Sequence, residues 1–237
     1  MATIEDIRSL AAIPLFKELK PGELELALGS AHRRKAAAGK FVYQQGDPAG
    51  TFYLLLEGRI RMLQVTPEGQ QVILRFVTPG EAFGVIAALS ESEYPAAAEA
   101  VEDSAVLAWD QAGMHLLMQA APGIALNALR ILAGRVREFQ DRVRELSTEK
   151  VERRIARTLL RLASQTGRRV PEGVLIDMAL SRQDLAEMSG TTLYTVSRTL
   201  SQWEAQGVVR SGRERVVICK PHGLVVIAED LPLEPME

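Results

Sequence analysis

The sequence predicts an α+β chain: an antiparallel β-roll or barrel, then one long dimerisation helix, then a C-terminal winged helix-turn-helix. Three observations carry that expectation. Turn signals punctuate the stretch from Lys40 to Trp109, apolar residues from Leu129 to Leu146 follow an alternating 3-4 spacing, and Ser189-Gly190-Thr191 separates two short helical segments ahead of a hairpin-like run.

A helical lead-in runs from Pro21 to about Ser30. Then Gly46-Asp47-Pro48, Glu57-Gly58, Pro67-Glu68-Gly69 and Pro79-Gly80 separate the runs FVYQQ, TFYLLL, RIRMLQV and QVILRFV, which are rich in strand formers. Short strands spaced roughly ten residues apart indicate a small antiparallel barrel or sandwich. A short helix from Gln111 to Gln119 follows, and Pro122-Gly123 breaks it.

Beyond the break, Leu129, Leu132, Val136, Phe139, Val143 and Leu146 lie 3, 4, 3, 4 and 3 residues apart, flanked by Arg135, Arg137, Glu138, Asp141, Arg142, Arg144 and Glu145. This is a narrow a/d seam with polar flanks, the pattern of a helix that pairs with a second copy of itself. A parallel homodimer on this helix is the expectation.

Residues 151–228 read as a second unit: a helix from about Val151 to Ala163, the turn-rich SQTGRRVPEG, a strand at Val174 to Met178, and helices at about Arg182–Met188 and Thr192–Ala205. Ser181 and Asp184 form a capping-box-like opening, and Thr192 is the N-cap of the second helix. Gly207 closes that helix, and VVRSGRERVVICK reads as a hairpin turning at Ser211-Gly212. The expected organisation is 1–121 sensory roll with flanking helices, 122–149 dimerisation helix, 150–228 winged helix-turn-helix, and 229–237 a flexible acidic tail.

Composition narrows the function. The 237 residues carry 28 Lys/Arg, 30 Asp/Glu and 47% hydrophobic residues, so the chain is globular. Charge is unevenly spread: residues 1–150 sum to −3 and residues 151–228 to +5, which points to a polyanion partner for the C-terminal unit. No apolar run exceeds five residues, and Glu5 and Asp6 precede any basic group, so neither a membrane span nor a secretory leader is read and a cytoplasmic location is expected. The single cysteine, Cys219, excludes a disulfide framework within the chain and a four-thiolate Fe–S cluster.

In a helix-turn-helix the N-terminal half of the second helix enters the major groove of double-stranded DNA. Here that half offers Thr192, Tyr194, Thr195, Ser197 and Arg198, with Val196 and Leu200 turned to the core. Arg198 suits a bidentate contact to guanine O6 and N7. Thr192 and Thr195 suit phosphate oxygens, as do Arg182 and Gln183 at the start of the first helix. Arg210, Arg213 and Arg215 decorate the wing, whereas Arg168 and Arg169 read as solvated surface charges.

With these residues in place, the chain resembles the CRP/FNR family of bacterial transcription regulators. The resemblance rests on FVYQQGDPAGTFYLLLEGRIRML, on the P-G-E-x-F-G run Pro79 to Gly84, on LSRQDLAEMSGTTLYTVSRTLSQWEAQGVV, and on the order of the three parts. It implies a cyclic-nucleotide-binding β-roll (a double-stranded β-helix), a homodimer on an inverted-repeat operator, and contact with RNA polymerase. Cyclic-AMP binders of the family carry an Arg-Ser pair where this chain has about Tyr94-Pro95. Phe76 through Leu129 is also 54 residues without Lys or Arg and with seven acids. An enclosed phosphate there lacks a cation, so cyclic AMP is not expected.

One cysteine cannot supply the family's four-cysteine oxygen-sensing cluster. The histidine used by its carbon-monoxide branch falls near Val77, leaving His32 and His115 as the only haem-ligand candidates and His222 as a surface residue. Many relatives place Glu where Tyr194 stands, so the half-site should differ from theirs. G-T-T-L-Y-T-V-S-R-T-L-S-Q-W-E resembles the nitric-oxide-responsive branch that controls denitrification genes; the cofactor is left open, with haem a candidate. The effector is expected between the roll (Gly80, Glu81, Phe83) and the start of the dimer helix (Asn127, Arg130, Ile131), because that helix alone joins sensor to DNA-binding unit.

Other functions fit less well. A roll enzyme of the cupin kind needs clustered His and carboxylate ligands, yet no histidine occurs between Lys40 and Trp109. There is no G-x-S-x-G or P-loop either, so the chain does not read as an enzyme. A signalling module without DNA contact leaves Arg198 and the arginine-bearing wing without a role, and a regulator answering a small organic ligand remains the alternative for the roll.

Overall fold

A computed structural model of the chain describes residues 10–85 and 93–231. Two compact units divide within the long helix, Met1–Phe139 and Gln140–Glu237. The sequence reading instead treats 122–149 as a segment of its own.

Among the described residues the first unit is a roll of eight strands: β1 (His32–Ala36), β2 (Phe41–Tyr43), β3 (Thr51–Glu57), β4 (Ile60–Val65), β5 (Gln71–Val77), β6 (Ala82–Phe83), β7 (Ala97–Ala100) and β8 (Ser104–Asp110). They form two four-stranded sheets in the orders β1-β8-β3-β6 and β2-β7-β4-β5, every pair antiparallel. The run TFYLLL is apolar without alternation because β3 is covered on both faces. Phe52 and Leu54 share one cluster with Leu107 and Trp109, while Tyr53 and Leu55 share the other with Val106 and Ala108.

The first cluster is closed by helices. These are α1 (Pro21–Gly29), α2 (Gln111–Ala120) and the start of α3 (Pro122–Thr148). The Trp109 indole N–H donates to the Ala27 carbonyl at 3.0 Å, so the largest buried side chain is also polar-satisfied. Asp110 caps α2 by accepting from the Gly113 N–H at 2.7 Å. The break expected at Pro122-Gly123 is present, α2 and α3 meeting at 112°. Proline at a first helical position costs no hydrogen bond, so a new helix starts where the old one ends. At 27 residues α3 is about 40 Å long. Between β3 and β4 the turn depends on Gly58, whose φ of 86° and closeness to Ser104 leave no space for a Cβ.

The second unit contains α4 (Val151–Thr166), β9 (Gly167–Val170), β10 (Gly173–Ile176), α5 (Arg182–Ser189), α6 (Leu193–Ala205), β11 (Val209–Gly212), β12 (Arg215–Ile218) and α7 (Pro221–Glu229). Its sheet runs β11-β12-β10-β9. Three expectations need correction here. SQTGRRVPEG is not all turn: Gly167–Val170 pairs with Gly173–Ile176. The wing turns at Arg213-Glu214, not Ser211-Gly212. Gly212 pairs with Arg215, Glu214 takes a φ of 55°, and Ser211 is held in β11 by bonds from its N–H and hydroxyl to Glu204 at 2.6 and 2.7 Å. The stretch read as an acidic tail starts inside α7, where the Glu229 carboxylate takes two bonds from Arg157 at 2.9 and 3.2 Å. Residues 232–237 lie outside the described residues. Among the described residues no single helix is long and apolar enough to cross a membrane.

Candidate functional site

Helices α5 and α6 are set by their caps. Ser181 accepts from the Asp184 N–H at 3.0 Å while Asp184 accepts from the Ser181 N–H at 2.9 Å, a reciprocal capping box. Thr192 caps α6 by accepting from the Thr195 N–H at 3.2 Å. Val196, Thr199, Leu200 and Trp203 are buried on one face of α6. The other face is open: Tyr194 is 75% exposed, Arg198 lies one turn further on and is exposed, and Ser197 and Thr195 are half-buried. Arg198 makes no ion pair or hydrogen bond among the described residues, so its fork of donors is free for a ligand.

The other expected DNA contacts divide in two. Arg213 and Arg215 are exposed at the wing tip, and Arg210 is exposed with Glu172 3.9 Å away. Gln183 is exposed and donates to Glu187 at 2.8 Å. Arg182 is half-buried and donates to the Ser211 hydroxyl at 3.1 Å, so it ties the start of α5 to the wing. Thr192 spends its hydroxyl on the cap and on Thr195, 3.0 Å away.

The residues expected to sense an effector fall on the β5–β6 turn, inside the roll and on α3. Gly80 turns the chain between β5 and β6 with a φ of 87°. Glu81 accepts from the Thr78 N–H at 2.8 Å, the Thr78 hydroxyl at 3.0 Å, Arg75 at 3.3 Å, and Arg135. Burial alone would raise the Glu81 carboxyl. Arg75, the Thr78 N–H and Arg135 outweigh it and hold the carboxyl below its ordinary range. Arg75 is pushed down to about 10, by burial first and then by the like charge of Arg135.

Asn127 and Ile131 lie elsewhere on α3. Asn127 is buried and donates to the Leu15 and Lys17 carbonyls at 3.1 and 2.9 Å, and Ile131 packs on the cluster beneath α1 and α2. Arg130 is exposed and donates to the Asn127 side chain at 3.1 Å. Asn127 fastens α3 to the N-terminal segment. Phe83 stacks on Tyr53 at 5.1 Å inside the roll, where Tyr43 and Tyr94 stack at 3.7 Å. Tyr94 donates to the Thr51 carbonyl at 2.7 Å and burial pushes it up to about 12, so the phenol stays neutral. The argument from a cation-free run also needs correction. Arg75 sits one residue before that run and Arg135 six after it, and folding brings both onto Glu81.

A family model for the cyclic nucleotide-binding domain matches residues 33–121, and one for the Crp-like helix-turn-helix domain matches residues 153–227. The cyclic AMP receptor protein of Thermus thermophilus is 36% identical over 84% of this chain and 89% of its own. The chain belongs to the CRP/FNR family.

The structure of FixK2 from Bradyrhizobium japonicum matches this family member with a TM-score of 0.72 at 27% identity, over 83% of this chain and 96% of that one. The c-di-GMP responsive global regulator CLP of Xanthomonas campestris matches at 0.74 over 84% and 99%, and at 23% identity it shows the fold alone. The cyclic-nucleotide-binding roll, the long helix and the C-terminal helix-turn-helix are thus those of a DNA-binding transcription regulator.

Haem ligation through the expected histidines does not fit. His32 on β1 and His115 on α2 are both exposed, and the His115 ring is hydrogen-bonded to the Gln119 amide at 2.9 Å, whereas haem needs an apolar enclosure about its axial ligand. Of the residues expected to form a seam on α3, Leu129, Val136, Phe139, Val143 and Leu146 are exposed, at 47–67%, and Leu132 is half-buried. Sequence reasoning missed Arg75, Arg135 and the stacked tyrosines. The Pro79-Gly80-Glu81 turn was a signal for Glu81, but nothing in linear spacing pairs it with a residue 54 positions away.

Proposed function

We propose that this chain acts as a homodimer that binds an inverted-repeat operator in double-stranded DNA under the control of an effector sensed by the roll. The observation that carries the DNA-binding part is the outward face of α6, with Tyr194 and Arg198 open above a fully buried opposite face. The exposed apolar stripe on α3 supports pairing of two copies, since so continuous a stripe is stable only when covered. Regulators of this family bind DNA as dimers and contact RNA polymerase, and the same partners are proposed here. The test is selection of duplexes from a random pool, followed by binding across a salt series. An inverted repeat with half-sites about one helical turn apart is the expected product. Enrichment of no sequence would refute the reading.

For the effector, we infer a ligand other than a cyclic nucleotide. Tyr94-Pro95 stands where an Arg-Ser pair would meet the phosphate, and the Tyr43, Tyr53, Phe83 and Tyr94 rings pack against one another inside the roll. The name of the Thermus relative argues the other way, so calorimetry with cyclic AMP and cyclic GMP decides: micromolar binding of either overturns the inference. A narrower reading, response to nitric oxide, rests on the run from Gly190 to Glu204 and draws no support from His32 or His115. It is tested by operator affinity with and without nitric oxide, an unchanged affinity refuting it.

A further inference from the structure

One guanidinium, that of Arg154 on α4, reaches three main-chain carbonyls in the second unit. Its Nε–H donates to Ser189 O at 3.0 Å, Nη2 to Gly190 O at 3.0 Å and Nη1 to Glu149 O at 2.9 Å. Ser189 ends α5 and Gly190, in the left-handed conformation with a φ of 60°, forms the turn of the helix-turn-helix. Glu149 lies directly between α3 and α4.

The last carbonyls of a helix have no partner within it, and a cation there also meets the negative end of the helix dipole. Either need would be met by any basic side chain. Three acceptors in three directions need more: a planar fork carrying five donors, which arginine has and lysine lacks. Two residues after Gly190, Thr192 caps α6 and sets the direction in which that helix leaves the turn. Tyr194 and Arg198 project from its first turns.

We propose that Arg154 is a positioning residue for DNA readout: by fixing the Ser189 and Gly190 carbonyls against the α3–α4 junction, it sets the angle at which α6 meets the bases. The role assigned to Arg154 requires no contact of its own with DNA. The proposal rests on the DNA-binding reading and adds to it a residue outside the helix-turn-helix. Its signature is selective. Loss of the fork disturbs base contacts, which need sub-ångström placement, and leaves phosphate contacts from the wing in place.

The experiment compares Arg154→Lys with the wild-type full-length chain on two duplexes, the one selected by the wild type and an unrelated sequence of equal length. Expected is a roughly tenfold loss on the selected duplex, the scale of one charge-assisted hydrogen bond, with affinity for the unrelated duplex and the salt slope unchanged. Wild-type discrimination in Arg154→Lys, or equal loss on both duplexes together with a lowered melting midpoint, overturns the proposal. If Arg154→Lys does not fold, exchange of the Arg154 Nε–H in the wild type decides: slow exchange supports the tether and exchange at the free-arginine rate overturns it. A wild-type chain that selects no duplex refutes the DNA reading and this proposal with it.

Discussion

Glu81, on the turn between β5 and β6, is ion-paired with Arg135 on α3, 54 residues away in sequence, and with Arg75 on the strand before it. The roll's turn and the long helix α3 are therefore joined by a carboxylate shared between two guanidiniums, both three-quarters buried. An effector proposed to act at this turn would move Glu81, and Arg135 lies on α3, which runs on into the second unit. To favour one of two helix arrangements tenfold, an effector needs about 1.4 kcal/mol of differential binding, within the range of one such ion pair.

Glu81→Gln should destabilise the chain by about 1–2 kcal/mol at neutral pH. The pH dependence has a definite sign. Because the folded-state pKa of Glu81 is depressed, its contribution is complete above the unfolded value, near 4.3, and is lost as pH falls through the folded value. Urea unfolding at pH 7 and pH 3 should show a difference between wild type and Glu81→Gln that shrinks at the lower pH. A difference independent of pH would mean the carboxylate charge contributes nothing.

Much of this was legible in the sequence. Turn spacing located β2 to β5 within two residues at either end, and Ser181, Asp184 and Thr192 cap α5 and α6 as their positions suggested, because caps and turns are local chemistry. The helix α3 and its exposed apolar stripe were legible for the same reason, the spacing being that of a helix. Long-range pairing was not. Asn127 reads as a polar residue at the start of a helix, and only its carbonyl partners, 110 and 112 residues away, show that it is structural. Likewise β9 hides in GRRV, which has one strand-forming residue and is held by its ladder to β10.

Val136→Asp tests the dimer. Val136 is 55% exposed in the single chain, so the substitution costs the isolated fold little. In a paired helix it buries two unpaired charges, at about 3 kcal/mol or more each. Sedimentation should show a monomer with an unchanged melting midpoint at low concentration, and operator binding should be lost in parallel. A tight Val136→Asp dimer would place the interface elsewhere.

Arg198→Ala and Arg213→Ala should separate readout from anchoring. Arg198 has no partner among the described residues and faces out of α6, so its loss should cost about 1–3 kcal/mol on the operator and relax preference at one guanine per half-site. Arg213 sits in the wing turn, and its loss should weaken binding to all duplexes alike and flatten the salt slope by about one. Competition binding over single-base operator variants distinguishes the two, and equal loss of discrimination would contradict the assignment of α6 to the groove.

Glu145→Ala should be among the most destabilising single changes in the second unit. Glu145 is 3% exposed and accepts from Arg161 at 2.7 and 2.9 Å and from Arg142 at 3.4 Å. Burial, then the nearness of Arg161, already holds the Arg142 guanidinium below its ordinary pKa, so these cations depend on the carboxylate between them. Removing it leaves two partly buried guanidiniums facing each other, at about 3–5 kcal/mol. Glu145→Gln, which keeps one acceptor oxygen but no charge, should cost less. Because the pair is shielded from solvent, raising salt should change the wild-type unfolding free energy little while it strongly weakens DNA binding. Urea unfolding and operator titration, each at two salt concentrations, measure the two effects, and a Glu145→Ala chain as stable as wild type would show that Arg142 and Arg161 find other partners.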